Sequence, residues 1–272
     1  MVGGGLAILI GLASYALLTY ALSREVGADV AAYWNAAQRL REGQPLYVPG
    51  EANASDLYRY APWFAAAWIP LTYLPHDAVV AGWVGLMVAA ALVSAVPLLW
   101  RGPTGWAAFA IFLPLQLQGA IFGNVQPLLV LVLMWGVERR SGPLWVAIGA
   151  SLKAVPLALA LVYAGRGELR KAAWSLALSL ILIAPMLLFD LANYPTSPGP
   201  SQQSLAGVSL LLFIPVAAAS LAAAYVLART PYNWAAGALA MVASLPRLLT
   251  YEAGFMLIGL PFRPRAKPET SA

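Results

Sequence analysis

Nine apolar stretches separated by short polar gaps run through almost the whole chain, and they limit what it can fold into. They span residues 5–22, 77–100, 104–117, 124–137, 142–163, 169–189, 205–228, 232–245 and 248–262. Hydrophobic residues make up 61% of the chain and charged residues only 10%, which is more apolar surface than a soluble core can bury. The ten-residue alternation of β-barrel strands is absent. The sequence therefore predicts an all-α, polytopic membrane protein.

The lengths of the stretches show that not all of them cross a bilayer alone. A crossing helix needs about 20 residues, yet several stretches hold about 14, and such segments must end inside a protein-lined cavity. Lys153 and the following Pro156 divide 142–163 into two halves, and a break over 247–252 divides the C-terminal region. We therefore expect about ten full or partial transmembrane helices in a single domain, residues 1–272.

The basic residues predict the topology, because cations between membrane helices favour the cytoplasmic side. With both termini inside, the cytoplasmic segments have a net charge of +7 and the outer segments −2, which together give the +5 of the whole chain. The first stretch has no basic residues before it, which argues against a cleaved signal peptide, although Ala-Leu-Ser at 21–23 leaves cleavage open. The ten basic residues predicted inside are Arg101, Arg139, Arg140, Arg166, Arg170, Lys171, Arg229, Arg263, Arg265 and Lys267.

Several function classes are excluded or disfavoured by composition. The chain has no cysteine and one histidine, His76, so disulfides, thiol chemistry and Cys- or His-rich metal sites are ruled out. The cations are dispersed and form no basic run, so we predict no nucleic-acid partner.

The largest segment between apolar stretches is the first outer loop, residues 23–76. Residues 29–41 have helical apolar spacing with Gly43 as a plausible stop. Residues 62–74 form a second, Trp-rich stretch suited to the headgroup zone. The loop is thus predicted to carry two juxtamembrane helices.

Two cations stand out because ionisable groups at membrane depth are costly and usually functional. Lys153 and Arg247 each occupy the outer turn of a short helix pair, where they could hold an anionic ligand such as a lipid-linked phosphate. Alternatively each pairs with an acidic neighbour such as Glu252, or extends to the surface.

Polar groups in the outer loops leave similar alternatives open. Asp29 could be a first-turn acid that stabilises its helix, or a catalytic base. Asn124 and Gln126 could bind sugar hydroxyls or cap a helix. The segment 58–62, with two tyrosines around Arg59, could form an aromatic belt or stack on a sugar.

A set of short motifs occurs along the chain in a fixed order. They are Asp29-(x)3-Tyr33, Gly43-Gln-Pro-Leu-Tyr47, Tyr58-x-Tyr60-x-Pro62, Pro70-Leu71, Gly123-Asn124-x-Gln126 and Gly149-x-x-x-Lys153-x-x-Pro156. This series resembles the GT-C integral-membrane glycosyltransferases, specifically glycosyltransferase family 87. Gln203-Ser204 and Tyr251-Glu252 are similar to degenerate forms of later family motifs. The chain is short for that family, and Tyr251 and Glu252 stand where members often carry a histidine.

The resemblance implies a GT-C-like fold with an extracytoplasmic catalytic loop, here 23–76, in the plasma (inner) membrane of a bacterium. It implies an inverting transfer of a sugar, mannose first, from a polyprenyl-phosphate donor to a lipid or glycan acceptor, with Asp29 as catalytic base. Lys153 and Arg247 are then candidates for donor-phosphate binding, with no cofactor and, since no Asp-x-Asp motif occurs, no obligatory metal. The candidates for sugar or acceptor binding are Tyr33, Tyr58, Arg59, Tyr60, Asn124, Gln126, Gln203 and Glu252.

Two other functions fit part of the pattern. A lipid or sugar-lipid transporter would explain the intramembrane cations equally well, but it explains less well why an outer loop carries an acid beside an aromatic platform. An inactive scaffold is a third possibility, given the short later loops.

Overall fold

The computed structural model describes residues 9, 11–13, 15–16, 18–20, 22–23, 26–50, 56–195, 199–200 and 204–260. All regular secondary structure in these residues is helical. Three helical segments are long and apolar enough to cross a membrane: His76–Ile121, Leu169–Leu188 and Leu210–Arg229. The predicted all-α character is confirmed, and these segments support membrane embedding. Ten of the 18 residues in the first apolar stretch are among the described residues, and all ten are helical.

The first outer loop contains the two predicted helices. Helix α1 spans Ala28–Arg41, and helix α2 spans Pro62–Trp68 and continues as a 3₁₀ helix over Ile69–Tyr73. Proline at the first helical position suits the start of α2, because its missing N–H has no partner there in any case.

The second and third apolar stretches form a helical hairpin. Helix α3 spans His76–Ala95 with a 3₁₀ turn over Val96–Arg101, and helix α4 spans Gly102–Ile121 and packs back on α3. The prediction of a short segment over 104–117 is wrong, since α4 has 20 residues.

Two glutamines explain why the sequence predicts the end of α4 too early. Gln116 and Gln118 lower the apolar content of the sequence near residue 117, but both side chains are buried between helices. Gln118 Oε1 accepts a hydrogen bond of 2.5 Å from the Thr250 hydroxyl, whereas the amide atoms of Gln116 have no hydrogen-bond partner among the described residues. A buried partner therefore exists for one of the two glutamines.

The middle of the chain contains the predicted short helix pair. Helix α5 spans Gln126–Gly136, helix α6 spans Gly142–Leu152, a 3₁₀ turn covers Val155–Ala158, and helix α7 spans Leu159–Gly165. At the break Lys153 has extended backbone, with φ −140° and ψ 114°. The division of 142–163 at Lys153 is confirmed.

The remaining elements complete the bundle. Helix α8 is Leu169–Ile183, with 3₁₀ turns over Ala184–Leu188 and Leu191–Asn193. The stretch 205–228 is interrupted at Ser209, whose hydroxyl caps the following helix by accepting from the N–H of Leu212. The later elements are α9 (Leu205–Val208), α10 (Leu210–Val226), a 3₁₀ turn (Leu227–Arg229), α11 (Asn233–Ala243) and the last 3₁₀ helix (Thr250–Gly259).

Side-chain contacts identify the two ends of the bundle. At one end Arg166 pairs with Glu138, Trp234 also donates to Glu138, and Arg229 donates to the Gly165 carbonyl. The turns that follow α5, α7 and α10 therefore share this end, which the predicted topology makes cytoplasmic and which we call the inner end. Arg263, Arg265 and Lys267 lie outside the described residues.

The opposite, outer end holds the first outer loop and the breaks of both short helix pairs. An aromatic cluster packs α1 and α2 on α3 there, with ring centroids 5.1 Å apart for Tyr33 and Trp68 and 4.7 Å apart for Trp68 and Trp83. In addition, the Trp63 indole donates to the Ser151 hydroxyl over 3.1 Å. The loop is thus fixed directly over the Lys153 break.

Candidate active site

The start of α1 docks on the end of α4 through its backbone. The N–H groups of Gly27 and Asp29 donate to the carbonyls of Ile121 and Phe122 over 2.8 and 2.9 Å. Gly123 has φ +72°, and a Cβ there would clash with the Val30 side chain. Glycine at 123 therefore supplies both the left-handed turn and the room for this approach. The result is that Asp29 lies beside the turn between α4 and α5.

Asn124, in that turn, uses both ends of its amide. Its Oδ1 accepts from the Gln126 N–H over 3.0 Å, and its Nδ2 donates to Asp29 Oδ2 over 2.6 Å. The same Nδ2 lies 3.4 Å from the Tyr251 hydroxyl. Asn124 thus satisfies the first N–H of α5 from the position before the N-cap residue, Val125, and also holds the candidate base in place.

The environment of Asp29 disfavours its charged form. Burial raises the pKa of the Asp29 carboxyl, and this effect outweighs the hydrogen bond from Asn124 and the positive charges of Lys153 and Arg59, which lower it. A carboxylate with a raised pKa is a stronger proton acceptor than an exposed one, as general base catalysis requires.

Lys153 forms a buried ion pair. Its Nζ lies 3.1 Å from Glu252 Oε1, and the two side chains are 13% and 8% exposed. Glu252 Oε2 also accepts from the Leu249 N–H over 2.9 Å, and Lys153 Nζ lies 5.1 Å from the centre of the Tyr251 ring. The alternative that Lys153 pairs with Glu252 is therefore confirmed, and any phosphate would have to share this lysine with a carboxylate.

Three further candidates surround this pair. Arg59 and Tyr60 are close enough to interact electrostatically with Asp29, and Tyr60 also interacts with Lys153. Arg247 interacts with the Tyr251 phenol. We call Asp29, Asn124, Lys153, Tyr251 and Glu252 the outer cluster, with Arg59, Tyr60 and Arg247 at its margin.

Tyr33 and Tyr58, two further predicted site residues, are buried within the first outer loop. Tyr33 is fully buried among aromatic rings, with its hydroxyl 3.3 Å from that of Tyr60. The Tyr58 hydroxyl is buried and bonded to the backbone of Ala61 and Ala65. Both hydroxyls are thus engaged within the loop, and the role of the two tyrosines in binding a sugar stays a prediction.

The two predicted glutamines differ from one another. Gln126 is buried, and its Nε2 donates to the Tyr251 carbonyl over 2.5 Å, which ties α5 to the last 3₁₀ helix. Gln203 lies outside the described residues.

Sequence reasoning missed some of the residues that build this region. The sequence gives Tyr251 only as part of a degenerate motif with no role of its own, yet its hydroxyl lies near Asn124 and its ring near Lys153. Gln118 and Thr250 join α4 to the last 3₁₀ helix just beneath it. Two glutamines inside an apolar stretch were the available signal, because a polar side chain at membrane depth needs a buried partner.

An apolar groove begins beside Lys153. It has a volume of about 400 Å³ and lies between the break in the short helix pair, α10 and the end of α11. Its lining consists of Ala154, Val155, Leu157, Ala158, Leu161, Leu221 and Ser244. The groove therefore joins lipid-facing surface to the residue next to the buried cation.

No family model, curated protein sequence or solved structure matches this chain. Among the described residues, no three His, Asp or Glu side chains are close enough to hold a metal ion. The resemblance, the ten crossings and metal independence all stay predictions.

Proposed function

We propose that this chain is an inverting, GT-C-like glycosyltransferase of the family 87 kind. It would act on the outer face of a bacterial inner membrane and move a sugar, mannose first, from polyprenyl phosphate to a lipid or glycan acceptor. One observation supports this above the others. Motif residues spread from position 29 to position 252 lie together at one end of the bundle, with Asp29 bonded to Asn124 and Lys153 bonded to Glu252.

In this mechanism Asp29 accepts the proton of an acceptor hydroxyl. The hydroxyl oxygen forms a bond to the anomeric carbon while the carbon–oxygen bond to phosphate breaks on the opposite face. The phosphate leaves with the bonding electron pair, so the anomeric configuration inverts and no strong general acid is needed. Asn124 orients the carboxylate through its 2.6 Å hydrogen bond, and positioning of this kind is a major part of enzymatic rate enhancement.

The leaving phosphate would be stabilised by Lys153 and by the cations at the margin of the cluster. An ammonium has three N–H donors, and among the described residues Lys153 directs one of them at Glu252. The groove of about 400 Å³ beside residue 153 suits an apolar chain. A polyprenyl tail in the groove would therefore place its phosphate next to Lys153.

The decisive experiment compares two acidic residues at the outer end. Asp29→Asn keeps an oxygen that accepts from Asn124 but removes the base, so turnover should fall by roughly 10²–10⁴-fold while donor binding is retained. Asp77→Asn is the matched control, because the Asp77 side chain is fully exposed in the first turn of α3. The assay measures release of polyprenyl phosphate from a short-chain polyprenyl-phosphate mannose mixed with envelope lipids.

The same comparison separates the enzyme from the transporter. A transporter has no need of a base, so Asp29→Asn should leave movement of the lipid across proteoliposomes unchanged. Transport activity in the wild type, together with an active Asp29→Asn variant, would remove the glycosyltransferase proposal.

The phosphate role of Lys153 needs a variant that avoids leaving Glu252 unpaired. We expect the double substitution Lys153→Met with Glu252→Gln to retain a melting temperature near that of the wild type and to lose the upward shift caused by undecaprenyl phosphate. A shift that survives in the double variant would remove Lys153 from the donor site.

The proposed topology can be tested with cysteines, since the chain has none of its own. Cysteine at position 168, in the inner turn after α7, should resist an impermeant thiol reagent in intact cells. Cysteine at position 200, in the outer loop before α9, should react. The opposite result would place the outer cluster on the cytoplasmic side.

A further inference from the structure

A second groove lies at the inner end of the bundle, far from the outer cluster. It has a volume of about 310 Å³ and is formed by the last turns of α5 and the start of α6. Its lining is Leu131, Val132, Trp135, Gly136, Arg139 and Trp145. The groove is thus apolar along the helices and ends at a cation in the turn.

The charge at the end of this groove is not neutralised by its neighbours. Glu138, next in sequence, is held by Arg166 and Trp234 instead. Within the described part of the chain, neither Arg139 nor Arg140 forms an ion pair, and both are exposed. An anion entering the groove would therefore meet an uncompensated guanidinium.

The apolar wall of the groove is built by a specific contact. The Trp145 indole donates to the Ser141 hydroxyl over 3.0 Å and lies so close to α5 that a Cβ at position 136 would clash with it. Glycine at 136 therefore lets the indole pack closely against α5 at the edge of the groove. Tryptophan is common at the membrane interface, where its ring meets apolar chains and headgroups together.

We infer that this groove binds one anionic phospholipid, with an acyl chain along Leu131 and Val132 and the phosphate against Arg139. The shape and the charge match the two parts of such a lipid, and basic pockets between membrane helices are known to bind anionic headgroups. A guanidinium also forms strong hydrogen bonds with phosphate oxygens. The site is independent of the proposed enzymatic reaction, because it lies at the opposite end of the bundle.

The test is a lipid titration of the purified full-length protein in neutral detergent, read by native mass spectrometry. The probes are phosphatidylglycerol and phosphatidylcholine with identical acyl chains. Wild-type protein should bind the anionic lipid more tightly. Arg139→Gln should weaken phosphatidylglycerol binding by roughly fivefold and leave phosphatidylcholine unchanged. Arg170→Gln removes an exposed cation at the same end but outside the groove, and it should behave as wild type.

A third variant tests the shape of the site without changing its charge. Gly136→Ala should push the Trp145 indole into the groove and weaken phosphatidylglycerol binding. Equal affinity of the wild type for the two lipids would overturn the inference, as would equal losses in Arg139→Gln and Arg170→Gln. Unchanged binding by a folded Gly136→Ala protein would also overturn it, and if that variant fails to fold, the two arginine variants decide.

Discussion

Two carboxylates at opposite ends of the bundle, Asp29 and Glu138, have surroundings that shift their pKa values in opposite directions. Glu138 sits in an inner turn, where partial burial tends to raise its pKa, but hydrogen bonds from Trp234 and Arg166 outweigh burial and lower it. Among the described residues only Asn124 donates a hydrogen bond to the Asp29 carboxyl, and there burial dominates and raises the pKa. The fold therefore stabilises the charged form of Glu138 and destabilises the charged form of Asp29.

The difference extends to the neighbours of each group. The inner ion pairs of Arg166 with Glu138 and Glu168 are partly open to solvent, with side chains 26–55% exposed. In the Lys153–Glu252 pair of the outer cluster, by contrast, both side chains are largely buried. Exposed networks of this kind fix loops and topology, whereas buried charges with few partners are typical of functional sites.

The largest expected effect comes from breaking the outer ion pair. Glu252→Gln removes the one carboxylate at ion-pair distance from the buried Lys153 among the described residues and should lower the free energy of unfolding by about 3–5 kcal/mol. Glu168→Gln, the matched inner substitution, should cost about 0.2–1 kcal/mol, because its partners remain solvated. Unfolding of both variants in detergent micelles measures the contrast.

The double substitution at 153 and 252 serves as the control for this comparison. Removing both charges should recover most of the loss seen in Glu252→Gln, since replacement of a whole buried pair is often neutral. Similar losses for Glu252→Gln and Glu168→Gln would show that the outer pair is not buried as described.

The second prediction makes the contrast between the two carboxylates sharper. Asn124→Asp keeps an oxygen that can accept from the Gln126 N–H but places a second acid at a position 2.6 Å from Asp29 Oδ2. Two carboxyl groups sharing one site cannot both ionise easily, so the acid limb of the turnover–pH profile should move upward by about one pH unit or more. A profile unchanged from wild type would mean that Asp29 does not govern turnover.

Local features of the fold were predictable because they depend on neighbouring residues. The break at Lys153 follows from a proline three residues later, and the α4–α5 turn follows from Gly123 and Asn124. The pairing of Asp29 with Asn124 and of Lys153 with Glu252 joins residues 95 and 99 positions apart. Sequence reasoning could offer Glu252 only as one alternative, because tertiary packing decides which partner is near.

The extent of α4 could not be predicted for a related reason. Gln116 and Gln118 suggest the end of an apolar stretch unless a buried partner is known. The partner of Gln118 is Thr250, in a segment 132 residues away. Likewise, the aromatic spacing around Tyr33 and Tyr58 is the same whether the rings face a ligand or the core.

The third prediction uses the pH dependence of stability. Because the folded pKa of Asp29 is raised, its favourable contribution is present below its unfolded pKa of about 3.9 and is lost as the pH rises through the folded value. Asp29→Asn should therefore raise the stability at pH 7 and change it little near pH 4. Thermal unfolding of both proteins across this range measures the difference. A destabilised variant at pH 7 would show that the carboxylate is favourably placed, contrary to the comparison.

The smallest change in stability is expected on substitution of Glu138, and its pH dependence has the opposite sign to that of Asp29. Its pKa is lowered, so its contribution is present above the unfolded pKa of about 4.3 and is lost as the pH falls through the folded value. Glu138→Gln should cost about 0.2–1 kcal/mol at pH 7, because Arg166 keeps its second partner, Glu168, and glutamine can still accept from Trp234. The cost should shrink toward pH 4 and also in 1 M salt, where exposed charges are screened within about 3 Å. A salt-independent loss above roughly 2 kcal/mol would place Glu138 with the buried pairs, and the two ends of the molecule would then no longer differ in kind.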